Sequence, residues 1–377
     1  MGAECFEREA FMVGRRVQRL LAVFIVLAVV AVAGPAYAVV ENRPTPSWQA
    51  NGRVSVILRA GSKVFIGGSF TNLYNHAGRS VSRARIAAID AVSGKPLDWN
   101  PGANGTVYAM ALSPSENTLY VGGTFTTIDG ESRNRIAAFD VATGRLLAFS
   151  ANVQGGGVRA MAASGSAVFL GGSFERVDGD ARLGLAAVDP GLGLLTNWYP
   201  GAVTGGRVRT LALPSLSRLV VGGSFDQIGG DGGQHLSAID PATDNVLGWQ
   251  SHPADPVITM ASEDGSVYAG TTNNLANRYD ASDGDLKFSK HGNGNVQALA
   301  VLNGILYIGG HFQEFAGRPE PHLAAANALS GSSVDWNASA NSPLGVFALC
   351  GDGRLYMGGD FTRVTGDSQD RFAMFSN

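Results

Sequence analysis

Cysteine is nearly absent. The 377-residue chain holds two, Cys5 and Cys350, and only Cys350 follows the N-terminal apolar run. No intramolecular disulfide can therefore staple the body of the chain, which must be held by its core. Cys5 lies upstream of that run and is not placed for lipid attachment. Lysine is scarce, four against 24 arginines, a composition typical of a GC-rich bacterial genome. Charge of either sign is low: Lys+Arg 28, Asp+Glu 31, net charge −3. That balance gives no electrostatic reason to expect nucleic acid or an anionic membrane. Charged residues make up 16% and hydrophobic residues 45%, too apolar for disorder. No stretch after residue 38 has a helical period. No glycine-rich loop is followed by the lysine of a phosphate loop, and there is no nucleophile elbow. No cofactor is expected.

The first 38 residues stand apart. Arg15, Arg16 and Arg19 precede an apolar run from Leu20 to Ala33, and Ala36-Tyr37-Ala38 closes it. A basic start, an apolar stretch and an A-x-A end read as a secretory signal peptide. The run is shorter than the roughly 20 residues of a membrane span. Cleavage is expected after Ala38; an uncleaved anchor is the alternative. Glu4, Glu7 and Glu9 are unusual in such a leader, and Met12 is an alternative start. Residues 1–38 are thus read as a signal peptide and 39–377 as one domain, secreted or extracytoplasmic, with no membrane span after cleavage.

What is plentiful is glycine, 51 residues, with no period of three. Much of it falls in a recurring pair: Gly67-Gly68, Gly122-Gly123, Gly171-Gly172, Gly222-Gly223, Gly309-Gly310 and Gly358-Gly359. A weak copy, VYAGTT, places Ala269-Gly270 in the same slot. Repeats of 40 to 55 residues with strand-like content are propeller periods. Each unit has four short apolar segments bounded by Gly, Asp, Ser and Asn, which read as strands. The first is a V-x-small pattern beginning at Val107, Val158, Val208, Val257, Val296 and Val346, with Val54 opening the series. In the last copy Cys350 takes a small-residue position, which predicts a buried, inert thiol. The second segment carries the Gly pair, and the third reads like RIAAFD (135–140). The fourth ends in Trp99, Phe149, Trp198, Trp249, Phe288 or Trp336.

Seven such units predict an all-β fold: a seven-bladed β-propeller with four antiparallel strands per blade. The last unit stops after its third strand. Trp48, in TPSWQ (45–49), carries the missing aromatic, so the mature N-terminal strand is expected to complete the last blade and close the ring. All five tryptophans then occupy one slot.

The stretch LYVGGTFTTIDGESRNRIAAFDVATG (119–144) resembles the delta-60 type repeat of bacterial secreted propellers, and the likeness extends over nearly all of the mature chain. AAFDVATGRLLAF is also similar to quinoprotein dehydrogenase blades, and the apolar run, Gly pair and Trp to Kelch blades. The delta-60 resemblance implies a fold and no single activity.

The longer second-to-third loops place any function on the face they share with the fourth-to-first links. Five units set a basic residue before the third strand: Arg85, Arg135, His235, His322 and Arg371. They form either a ring of cations facing an anionic ligand or a set of bonds to neighbouring carbonyls and carboxylates. His252 and His291 hold equivalent positions beside the shortened fifth unit. With His322, Asp255 or Glu320 they are candidates for a metal or acid–base site, although their spacing has no metal signature. The expected function is a non-catalytic, monomeric scaffold that binds a protein, glycan or cell-wall ligand. The alternative is an extracytoplasmic hydrolase or lyase working near units five and six.

Overall fold

The computed structural model describes residues 39–230 and 233–377. The leader, and with it the segment before the expected cut at Ala38, lies outside the described residues. Those residues contain strands and turns and no helix, so none is long and apolar enough to cross a membrane.

Each repeat builds one sheet from its own chain. The opening strands are Val54–Ala60, Val107–Leu112, Val158–Ala163, Val208–Ser215, Val257–Glu263, Val296–Leu302 and Val346–Asp352. Each pairs antiparallel with the following Gly-pair strand, and that strand pairs with the third. The opening strand of each repeat packs on that of the next, and Val346–Asp352 packs on Val54–Ala60.

The fourth strand differs from expectation. It is a full strand only at Val246–Leu247 and Leu286–His291. Elsewhere it shrinks to one bridge: Ile89 to Pro96, Phe139 to Leu146, Val188 to Leu195 and Ala326 to Ser333. The aromatic of this segment packs between sheets. Trp99 turns inward between Phe65 and Phe139, with ring centroids 5.3 and 5.1 Å away. Its indole N–H donates to the Gly144 carbonyl of the next repeat at 2.8 Å. Pro96 has no N–H to extend the ladder in this repeat; the inward ring alone does not end the strand, since Trp249 is buried after Val246–Leu247 and Phe288 lies within Leu286–His291.

The Gly pair has two separate jobs. A Cβ on Gly67, Gly122, Gly171, Gly222, Gly309 or Gly358 would lie 2.5–2.8 Å from a methyl of the next repeat's opening valine; for Gly358 that valine is Val54. The first glycine therefore sets how closely neighbouring sheets approach. A Cβ on the second would strike a backbone carbonyl within its own sheet: Arg53 O at 2.0 Å for Gly68, Thr106 O at 2.2 Å for Gly123. The aromatic two residues on (Phe70, Phe125, Phe174, Phe225, Phe312, Phe361) is at most 1% exposed.

The fifth repeat corrects the sequence alignment by one residue. Gly270, not Ala269, is the first glycine of the slot, since its Cβ position lies 2.6 Å from Val296 Cγ1. Thr271 replaces the second glycine. Its hydroxyl accepts the Leu275 amide at 3.2 Å, closing the short turn that replaces the second-to-third hairpin of the first, second, third, sixth and seventh repeats. Cys350 also departs from expectation, because the residue is only partly buried. Burial of the thiol nonetheless pushes its pKa up to about 12, so little thiolate exists at neutral pH.

The residues before Gln49 run beside the seventh sheet, and Gln49–Ala50 then pairs antiparallel with Asn72–Tyr74 of the first repeat. The amides of Glu41 and Thr45 donate to Ser376 O and Met374 O at 2.8 and 2.7 Å. Thr45 bridges Met374 antiparallel, as Leu146 bridges Phe139. Trp336 donates to Glu41 O at 3.2 Å, and Val40 N–H to the Tyr307 hydroxyl at 3.0 Å.

The third-to-fourth turns repeat one hydrogen-bond motif. Asp90, Asp140, Asp240 and Asp280 accept turn amides and hydroxyls on Oδ1, and Asn327 does the same in the sixth repeat. These bonds hold the four carboxyls below the usual 3.8: first the Ser93 hydroxyl at Asp90, the Thr143 amide at Asp140, the Ala242 amide at Asp240 and the Ser282 hydroxyl at Asp280. A depressed carboxylate contributes stability that is complete above its unfolded pKa and is lost as pH falls through the folded value. Burial raises Asp129, Glu263 and Glu320 and acts in the opposite sense. Replacing all four turn aspartates by Asn keeps the acceptor and removes the proton. The fall in Tm between about pH 6 and pH 3 is therefore expected to be smaller in the quadruple variant, read by thermal melts. An unchanged fall would show that these turns play no part in acid unfolding.

Candidate functional site: the axial cavity

Every opening strand carries a β-bulge at one place. In the first, Val54 opposes Gly68 while Val56 opposes Gly67, which leaves Ser55 as the extra residue. The same shift isolates Tyr108, Arg159, Arg209, Ile258, Gln297 and Phe347. A bulge re-aims a side chain out of the alternation of its strand. All seven of these residues line a common cavity. Its mouth has a volume of about 590 Å³ and is completed by Arg53, Arg207, Thr272 and Asn295. Small-molecule sites occupy roughly 300–1,000 Å³.

Four arginines reach this mouth, and no carboxylate lines it. Arg53 is neutralised: its Nε and Nη2 donate to Asp360 Oδ2 at 2.9 and 2.6 Å, and it stacks on Phe347 at 4.2 Å. The guanidinium of Arg159 lies over the Tyr108 ring at 3.9 Å. Burial first, then Arg207 and Arg159, lowers the pKa of Arg209. The Nε atoms of Arg159 and Arg209 and Oε1 of Gln297 are buried without hydrogen-bond partners.

This cavity is not among the sites expected from sequence. The bulged residues that line it are the x of the V-x-small pattern. The variability of that position was itself the available sign, since it is flanked by positions that scarcely change.

None of the seven residues singled out from sequence lines the cavity. Arg85, Arg135, His235, His322 and Arg371 all have positive φ, between 60° and 69°. In each, the backbone N–H donates to the carbonyl of the buried Phe of its own repeat at 2.8–3.0 Å. Gly184 does this in the third repeat. Three side chains reach the neighbouring repeat: Arg85 to Ala103 O at 2.6 Å, Arg371 to Ala50 O at 3.5 Å, and Arg135 to Val153 O. His322 is buried, with Nδ1 3.1 Å from Gly310 O and Nε2 3.0 Å from Gln313 Nε2. Burial holds its pKa below the usual imidazole value. Nδ1 of His235 is buried without a partner. His252 is exposed, with Nδ1 2.9 Å from Leu236 O, and His291 is exposed at the end of its strand. Among the described residues no three His, Cys, Asp or Glu side chains converge as metal ligands.

Helix-free antiparallel sheets, one per repeat, packed through their opening strands onto a shared cavity define a β-propeller. A family model described as "Domain of unknown function (DUF5122) beta-propeller" matches residues 116–139, overlapping the stretch whose repeat suggested this kind of family. No curated protein matches the chain. Among solved structures, the chain is similar to the WD40 β-propeller domain of Doa1, with 13% identity and a TM-score of 0.56 over 89% of this chain and 97% of that one. It is also similar to the computationally designed Ika8 protein, with 13% identity and a TM-score of 0.55 over 88% and 98%. At that identity both likenesses concern the fold alone.

Proposed function

We propose that the chain is a secreted, seven-bladed β-propeller, closed by residues 39–50, that acts as a non-catalytic binding scaffold and takes its ligand at the mouth of the axial cavity. One observation carries the placement of the site. Positions that pack the repeats recur almost unchanged: the opening Val, the Gly pair and the buried Phe. The bulged position between them holds six residue types in seven repeats. A structural role repeats around a ring, whereas recognition of one asymmetric ligand does not. Closure is supported by the Thr45–Met374 bridge, by Gly358 against Val54, and by the Tyr356 hydroxyl donating to Ala91 O at 3.1 Å. Scaffold propellers commonly bind through such loop-bearing faces.

The test is a glycan and peptide array probed with protein recovered from culture medium, whose intact mass should begin at Val39. A variant carrying Ser55→Trp and Ile258→Trp fills the mouth. Binding by the wild type that is lost in this variant is the expected result. Equal binding by both would move the site off the axis, and a mass retaining the leader would remove secretion by cleavage.

A further inference from the structure

We infer that the axial mouth is an oxyanion site, in which Arg159, Arg207 and Arg209 hold a phosphate or carboxylate group of a small ligand. The inference rests on the placement of the ligand site proposed above and names the chemistry of its occupant.

Three guanidinium groups converge from two adjacent opening strands. Arg159 and Arg209 are bulged residues of Val158–Ala163 and Val208–Ser215, and Arg207 precedes Val208. Among the described residues none of the three has a carboxylate within 4.0 Å, and none donates a side-chain hydrogen bond. Such an uncompensated cluster is costly in a half-buried cavity, and an oxyanion relieves it. Arg presents a planar fork that matches carboxylate and phosphate oxygens two at a time. Stacking on Tyr108 fixes the plane of Arg159, so less freedom is lost when an anion binds.

The chain contains its own control. Arg53 precedes Val54 as Arg207 precedes Val208, and it is neutralised by Asp360, which follows the Gly pair of the preceding repeat. The residue at the corresponding sequence position of the third repeat is Ser173, which follows Gly171-Gly172. Where the repeat closes on the first unit the cation has a built-in partner; at the fourth unit the partner is missing. Gln297 lines the same mouth.

The test uses the whole mature chain with two probes, inorganic pyrophosphate and citrate, at concentrations up to about 10 mM. Calorimetry and thermal melts are read for wild type, Arg159→Gln/Arg209→Gln and Ser173→Asp. A heat of binding and a rise in Tm are expected for wild type, with affinity weakened at least about tenfold in each variant. Pyrophosphate alone acting assigns a phosphate-bearing ligand, and citrate alone a carboxylate. Without any anion, Arg159→Gln/Arg209→Gln should melt no lower than wild type, because it removes charges that burial and their neighbours disfavour; this separates lost binding from lost fold. No binding of either probe to wild type, or equal binding by wild type and both variants, overturns the inference. The placement of the ligand site fails independently, by equal array binding of the mouth-filling variant.

Discussion

Deletion of residues 39–50 unfolds the domain or leaves it aggregated. The segment contributes the buried Val40 and Ala50, at 3% and 0% exposure. It also satisfies groups on two other segments: Trp336 donates to Glu41 O, Gln49 Oε1 accepts the Asp370 amide at 2.7 Å, and Gln369 Nε2 donates to Ser47 Oγ at 3.1 Å. A buried polar group left unpaired costs about 1–3 kcal/mol. Met374 and Phe375, both fully buried, would also meet water at about 1.5–3 kcal/mol each. Together these losses approach the about 5–15 kcal/mol that holds a whole domain. The uncovered strand Phe372–Phe375 becomes an open, apolar sheet edge of the kind that pairs with other chains. Size-exclusion chromatography and melts would show the loss. In a Trp48→Phe background tryptophan emission should move to the red as Trp336 becomes hydrated, and a synthetic peptide of residues 39–50 carrying the same substitution should restore it in part. A monomeric deletion variant with unchanged Tm would mean that the seventh sheet is stable without its N-terminal partner.

Gly123→Ala is expected to cost about 3 kcal/mol or more in urea unfolding, because the new methyl meets backbone. The Thr106 carbonyl oxygen stands 2.2 Å from its Cβ position and is itself fixed, accepting the Thr124 amide at 2.9 Å. Gly122→Ala, one residue earlier, meets the side chains of Val158 and Met161 at 2.7 and 2.8 Å. Methionine can move aside, so the cost there is smaller, about 1 kcal/mol. Gly130→Ala meets nothing within 4 Å but sits at φ +75°, which carries about 1–2 kcal/mol of backbone strain. The order Gly123 above Gly122 and Gly130 is the expected outcome. A Gly123→Ala variant as stable as wild type would show that the bulge can relax, and with it the aim of Tyr108 into the cavity.

The repeats themselves were legible because packing a sheet against its neighbour demands the same small and large residues each time. Val, Gly-Gly and Phe recur for that reason, and the fifth unit could be recognised even with Thr271 in a glycine slot. Two details were not legible. The fourth strand was expected in full because its aromatic was visible, but the aromatic packs between sheets whether the strand forms or shrinks to a single bridge. The Ala269-Gly270 alignment was one residue out because only the contact of Gly270 with Val296 fixes the register.

Candidate site residues were harder to read, for the opposite reason. Arg85, Arg135, His235, His322 and Arg371 attracted notice because they recur, and recurrence there accompanies a positive φ and a bond to a buried Phe carbonyl. Arg159, Arg207 and Arg209 did not recur and were passed over.

Taken alone, the sequence determined the all-β class, the strand order within each repeat and the residues of the core, because each follows from local alternation and from a pattern written several times. The tertiary structure decided which side chains meet. Residues about 50 positions apart converge on one axis only because each opening strand carries a bulge at the same place. Arg53 is neutralised because the preceding repeat sets Asp360 beside it, whereas the matching sequence position for Arg207 holds Ser173.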